Sequence, residues 1–262
     1  MRTGGAQRAL ERRSVQALLL SLLICFSSLA AQWSATLLLP ISAADILAPG
    51  GISSGLALWI DASESTTVSS APRIRFWVDK AGQGRSLLAT SSGSAPYATM
   101  ISFKRQAIFE DSVLALSAPI QLEPMTAFFV IRNGSDTGYL PLLGRTDRGS
   151  GVVIDAKRVR MMSGGASTLS GVFGSVLLSG ILLVRTSAGA ADYVSLNGGT
   201  ELSLNWTSSE LATHVGAVWS STGTRYLRAS LSEVVVWDRA LTAAERTTVL
   251  RALGSKWGIS VP

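Results

Sequence analysis

The side chains best suited to chemistry in this 262-residue sequence are its 17 carboxylates. Retaining glycosidic hydrolysis needs two of them about 5–5.5 Å apart over one cleft. On a strand that requires alternate positions, because successive side chains face opposite surfaces. Glu110 and Asp111 are adjacent, which predicts opposite facing, and Glu123, Glu201, Glu210 and Glu233 stand alone. His214 is the single histidine, with no nucleophile motif beside it, and reads as a strand or loop residue. Gly149-Ser150-Gly151 and Gly164-Gly165 lack the Lys-Ser/Thr of a phosphate loop and read as turns. One cysteine, Cys25, and one histidine leave neither a zinc site nor a disulfide framework. No catalytic residue is assigned, and the sequence reads as non-enzymatic.

The elements that position any site are strands. From Ile52 onward, short apolar runs rich in Val, Ile, Leu, Phe and Trp alternate with Gly, Ser, Asn and Asp. The predicted strands are 56–60, 73–78, 106–109, 126–132, 151–155, 176–186, 192–196, 214–219 and 227–238. Asn197-Gly198-Gly199 predicts a hairpin turn, since Asn and Gly accept positive φ. One helix is predicted near the end of the chain. Thr242-Ala243-Ala244-Glu245 spells a capping box, and Val249, Leu250, Leu253 and Trp257 recur at helical spacing behind it. Strands without intervening helices predict an all-β, antiparallel two-sheet sandwich carrying that helix.

The N-terminus reads differently. Arg8, Arg12 and Arg13 precede an apolar run from Ala17 to Phe26, and small residues follow from Ser28 to Ala31. That is the layout of a secretory signal over residues 1–31. No charge occurs between Arg13 and Asp45, so an uncleaved membrane anchor is the alternative. Residues 32–54 read as a linker and 55–262 as the folded domain. Net charge is +6, with Arg2, Arg8, Arg12 and Arg13 opposed only by Glu11 in the first 44 residues. Lys157, Arg158 and Arg160 form too short a run for a nucleic-acid footprint, so nucleic acid is excluded as a partner.

Four segments carry a resemblance. Gly55-Leu56-Ala57-Leu58-Trp59-Ile60-Asp61-Ala62-Ser63 resembles the opening of bacterial laminin-G-like domains of the concanavalin A-like lectin/glucanase superfamily. Phe76-Trp77-Val78-Asp79-Lys80-Ala81-Gly82-Gln83-Gly84 is similar to that family's W-x-D-K-S-G-N-G segment, departing at Ala81 and Gln83. Arg105 to Ser112 resembles the next strand, with Glu110-Asp111 in place of the usual ending. Ser232 to Thr242 resembles the closing strand and its D-R-A-L-T corner. The resemblance implies a jelly roll in which Trp59, Trp77 and Trp237 are core residues, Asp79 caps a turn, and Asp238 and Arg239 make a corner or helix-start contact. The carboxylate array of the family's glucanases, Glu-x-Asp-x-x-Glu or Glu-x-Asp-x-Glu, does not occur.

The resemblance also implies a calcium ion held by turn carboxylates, for which Asp79, Asp111 and Asp147 are the candidates. Sugar recognition on a sandwich pairs an exposed ring with planar polar groups. Tyr139 and Trp206, with Asn133, Asp136 and Arg145 nearby in sequence, are the candidate ligand-binding residues, and Tyr97, Tyr226 and Asn205 are further ones. The expected function is an exported, non-catalytic module binding a glycan or a surface protein. The alternatives are a structural or adhesion component of a cell surface or extracellular particle, and a divergent polysaccharide hydrolase or lyase.

Overall fold

The computed structural model describes residues 48–262 except 65–72, 92–94, 102–103, 133–138, 165, 174–178, 189–190, 208 and 221–222. The expected leader, 1–31, and most of the 32–54 linker lie outside the described residues.

Two antiparallel sheets form the fold. Sheet I has the order β14 (Leu202–Leu204), β13 (Asp192–Leu196), β12 (Gly180–Thr186), β7 (Met125–Arg132), β17 (Gly223–Trp237), β5 (Lys104–Ser112) and β4 (Tyr97–Ile101). The long strand β17 also pairs with β1 (Leu56–Asp61) and β16 (Ala217–Ser220). Sheet II has the order β11 (Ala166–Leu169), β10 (Arg158–Ser163), β9 (Gly151–Asp155), β8 (Tyr139–Gly144), β15 (Leu211–Val215), β6 (Leu114–Gln121), β3 (Leu87–Ala89) and β2 (Phe76–Trp77). The inner faces of both sheets share one core, including Leu58, Ile60, Phe129 and Val234 from sheet I and Leu87, Leu114, Leu143 and Val152 from sheet II. Trp77 is buried in it.

The outward face of sheet I is buried as well along part of its length. Trp59, Phe128, Val130, Val235 and Trp237 alternate with the inner-face residues and meet Val249, Leu250, Leu253 and Trp257 of helix α1 (Ala243–Trp257). Phe128 and Trp237 pack edge to face, with ring centroids 5.7 Å apart. Burial on both faces explains why Ala127 to Ile131 and Val234 to Trp237 read as continuous apolar runs rather than alternating ones. The helix starts as predicted: Thr242 Oγ1 accepts from Glu245 N, and the Glu245 carboxylate accepts from Thr242 N. Arg239 grips the same carboxylate with two nitrogens, at 3.0 and 2.6 Å, which is the helix-start contact.

Several strand boundaries differ from the sequence reading. The run 73–78 contributes only Phe76–Trp77 to a strand. The run 214–219 is broken into β15 and β16 at Gly216, whose φ of 86° and contact with the Phe109 ring exclude a side chain. Strand β6 went unpredicted because Ser117 and Pro119 interrupt its apolar pattern.

Candidate functional site

Sheet I carries two groups of chemistry-bearing side chains, and the first is enclosed. Asp61 ends β1 and stands opposite Glu233 of β17 in the ladder. Both residues are 0% exposed. Lys256, in the last turn of α1, places Nζ 2.6 Å from Asp61 Oδ2 and 2.8 Å from Glu233 Oε2. Trp59 Nε1 donates to Glu233 Oε1 and Trp257 Nε1 to Oε2, each at 2.6 Å. Ser63 donates to Asp61 Oδ1 through its backbone N, at 2.9 Å, and its hydroxyl, at 2.6 Å. Lys80 Nζ lies 3.2 Å from Asp61 Oδ2 and 3.9 Å from the Trp59 ring centroid.

Two carboxylates in a low-dielectric interior are tolerated only with this density of donors. Burial pushes the Glu233 carboxyl above its ordinary range, against the pull of Lys256. Burial acts on Asp61 in the same sense, but Lys256, Ser63 and Lys80 together outweigh it and hold that carboxyl low. Burial favours the neutral form of Lys256; Glu233 and Asp61 override it and keep the ammonium charged.

The second group is open to solvent. In the β16–β17 hairpin Ala217 stands opposite Tyr226 and Trp219 opposite Thr224. Trp219 and Tyr226 are therefore diagonal neighbours on one face. They are 40% and 38% exposed. Arg228 and Ser230 continue that face of β17, opposite Glu110 and Ile108 of β5. A cleft of about 480 Å³ lies here, lined by Ile108, Glu110, Asp111, Arg228 and Ser230 with parts of Phe109 and Ala229. On β4, Tyr97 stands opposite Ile108, and the Arg73 guanidinium lies 4.2 Å over its ring.

This cleft corrects one expectation. Glu110 and Asp111 both line it instead of facing opposite surfaces. The ladder shifts register between Leu227 and Arg228, and Asp111 takes φ 55° there, the signature of a β-bulge. Arg228 then holds Asp111 with two parallel bonds, Nε to Oδ1 at 2.8 Å and Nη2 to Oδ2 at 2.7 Å. Those bonds keep the Asp111 carboxyl below the usual range.

The residues expected to bind ligand are scattered. Asn133 and Asp136 lie outside the described residues. Tyr139 opens β8 half-buried, its hydroxyl 2.6 Å from Met162 Sδ, and burial pushes the phenol up. Arg145 follows β8 and donates from Nε to Asp147 Oδ1 at 2.7 Å. Trp206 is corrected outright: at 5% exposed it belongs to the inter-sheet core and offers no ring face to a ligand.

The calcium candidates do not assemble either. Asp79 is a turn cap, with Oδ1 accepting from Trp59 N and Ala81 N at 2.9 Å and Oδ2 from Arg85 N at 3.1 Å. Asp111 pairs with Arg228 and Asp147 with Arg145, at separate places in the fold. Among the described residues no three His, Cys, Asp or Glu side chains converge as a metal site. His214 is half-buried, with Nδ1 2.8 Å from Thr213 Oγ1, and burial pulls its basicity down.

Sequence reasoning missed Trp219, which reads as the end of an apolar strand, and the Asp61–Glu233–Lys256 group, which only sheet register brings together. It also passed over Gly51-Ile52-Ser53-Ser54-Gly55, which has nucleophile-elbow spacing. Ser53 sits in a turn leading into β1, its carbonyl accepting from Leu56 N at 3.1 Å. That is not the strand-to-helix turn an elbow requires.

No protein-family model matches the chain, and no curated protein does. Among solved structures it is similar to a mutant of Trypanosoma rangeli sialidase displaying trans-sialidase activity, at 15% identity and a TM-score of 0.49, over 78% of this chain and 34% of that one. It is also similar to the binding domain of botulinum neurotoxin serotype C1, at 8% identity and a TM-score of 0.49, over 77% of this chain and 53% of that one. The chain thus spans about a third of the sialidase and about half of the toxin domain.

Proposed function

We propose that the chain is an exported, non-catalytic binding module of the laminin-G-like, jelly-roll kind, and that it recognises carbohydrate on the open end of sheet I. The observation that carries this reading is the exposed Trp219–Tyr226 pair on the same strand face as the cleft. Sugar C–H faces stack on rings, while hydroxyls need fixed, planar donors and acceptors. Arg228, Asp111, Glu110 and Ser230 supply those beside the rings. The cleft volume falls in the small-ligand range of about 300–1,000 Å³. Export rests on the basic-apolar-small order of the leader.

The paired carboxylates Glu110 and Asp111 favour a second reading, a divergent hydrolase or lyase. Against it, the two are adjacent on one bulged strand, and Arg228 already engages both oxygens of Asp111. A glycan array and cell-wall polysaccharide pull-downs, each with and without calcium, test the first reading. Retention of specific glycans by the wild-type chain, lost on Trp219→Ala, is expected. Clean negatives on both assays overturn it, and released reducing ends or unsaturated sugars would establish the second.

A further inference from the structure

The enclosed group around Asp61 does more than balance charge. We propose that Lys256 and Asp61 are joined by an intramolecular isopeptide bond that the fold itself forms, with Glu233 carrying the protons. This proposal is independent of what the open cleft binds.

The geometry supplies each part of an amide condensation. The nucleophile, Lys256 Nζ, lies 2.6 Å from Asp61 Oδ2, held by β1 in the sheet and by α1, which shares an apolar cluster with it. Asp61 Oδ1, where negative charge develops on attack, already accepts from the Ser63 N–H and O–H. Oδ2, the oxygen that must leave, has Lys80 Nζ at 3.2 Å. Glu233 Oε2 lies 2.8 Å from the attacking nitrogen, and the two indole N–H groups fix its carboxylate in place. Fixed contact between reactants replaces a bimolecular encounter, and both carboxylates are fully buried, which favours loss of water over hydrolysis.

The proton balance closes without any other reagent. Glu233 takes one proton from the Lys256 ammonium and passes it to Asp61 Oδ2, leaving a neutral amine facing a carboxylic acid. The amine lone pair adds to Asp61 Cγ, and the resulting charge on Oδ1 rests on Ser63. Glu233 then accepts a second proton from the nitrogen and delivers it to Oδ2, which departs as water as the carbonyl re-forms. Two of the three ammonium protons leave with Oδ2, one stays on the amide nitrogen, and Glu233 ends as it began. The raised affinity of buried Glu233 for a proton suits this relay. Asp61 and Lys256 each favour the other's charged form, so the ion pair is the starting state from which the relay must move a proton.

Protease digestion and mass spectrometry of the purified full chain decide the matter. The expected result is a branched peptide joining the segments that contain Asp61 and Lys256, lighter than the two linear peptides together by one water molecule. Lys256→Arg, which keeps the positive charge, and Glu233→Gln are expected to abolish it. Asp61→Asn is expected to give the same branched peptide with loss of ammonia instead of water. Linear peptides alone from folded wild-type protein overturn the bond. A branch through Lys80 overturns the assignment to Lys256, and an undiminished branch in Glu233→Gln overturns the role of Glu233. Should Glu233→Gln fail to fold, the wild-type digest with the Lys256→Arg control still decides whether the bond exists.

Discussion

Strand β17 passes through two environments on one face. Near its start Tyr226 and Arg228 are open to water, and near its end Glu233, Val235 and Trp237 lie beneath α1. The polar side chains in the two regions are alike in kind: carboxylates, a basic group, an aromatic ring. What separates them is cover. A 15-residue helix shields only part of the sheet. Under it a carboxylate must be matched completely by fixed donors, whereas outside it Glu110, Asp111 and Arg228 keep faces that a ligand can reach.

The contrast is sharpest at Lys256. Lys256→Ala leaves two buried carboxylates facing each other and is expected to destabilise the fold by about 3–5 kcal/mol, read from denaturant midpoints. A loss below about 1 kcal/mol would show that the enclosed region is wetter than its burial indicates. At the open end the effects should reverse in kind. Trp219→Ala and Tyr226→Ala should each weaken glycan retention tenfold or more while moving stability by no more than about 0.5 kcal/mol. Unfolding of either variant would make these rings structural.

The helix start gives a pH-dependent intermediate case. Hydrogen bonds from Arg239, then the Thr242 backbone amide, pull the Glu245 carboxyl down to about 2. A carboxyl lowered on folding contributes stability above its ordinary value of 4.5, and that contribution fades as pH falls toward 2. Glu245→Gln should therefore cost about 1 kcal/mol at neutral pH and progressively less in acid, as denaturant titrations across that window would show. Smallest of all, Arg228→Ala should leave the unfolding midpoint unchanged and let the Asp111 carboxyl return to its ordinary range, visible in an NMR titration of that side chain.

Legibility in the sequence followed how local each signal is. The helix was readable because Thr242 and Glu245 cap it from three residues apart, and β9 and β13 because their apolar runs end at turn residues. Trp59, Trp77 and Trp237 proved buried as expected, though only Trp77 sits between the sheets. The site was far less readable. Trp59 and Glu233 meet across 174 positions, and nothing local to either announces the other. The bulge at Asp111 breaks the alternation that any pattern argument assumes, and no glycine marks it. Trp206 illustrates the converse: lying in a segment between strands, it is nonetheless drawn into the core.

Because α1 follows all the described strands, the sandwich they form emerges from the ribosome before its cover does. Until Val249, Leu253 and Trp257 arrive, Trp59, Phe128, Val235 and Trp237 form a bare, sticky surface on a nearly complete sheet. A nascent chain stalled short of Thr242 would thus need a chaperone's protection, and the last turn to be made is the one that brings Lys256 to its carboxylates.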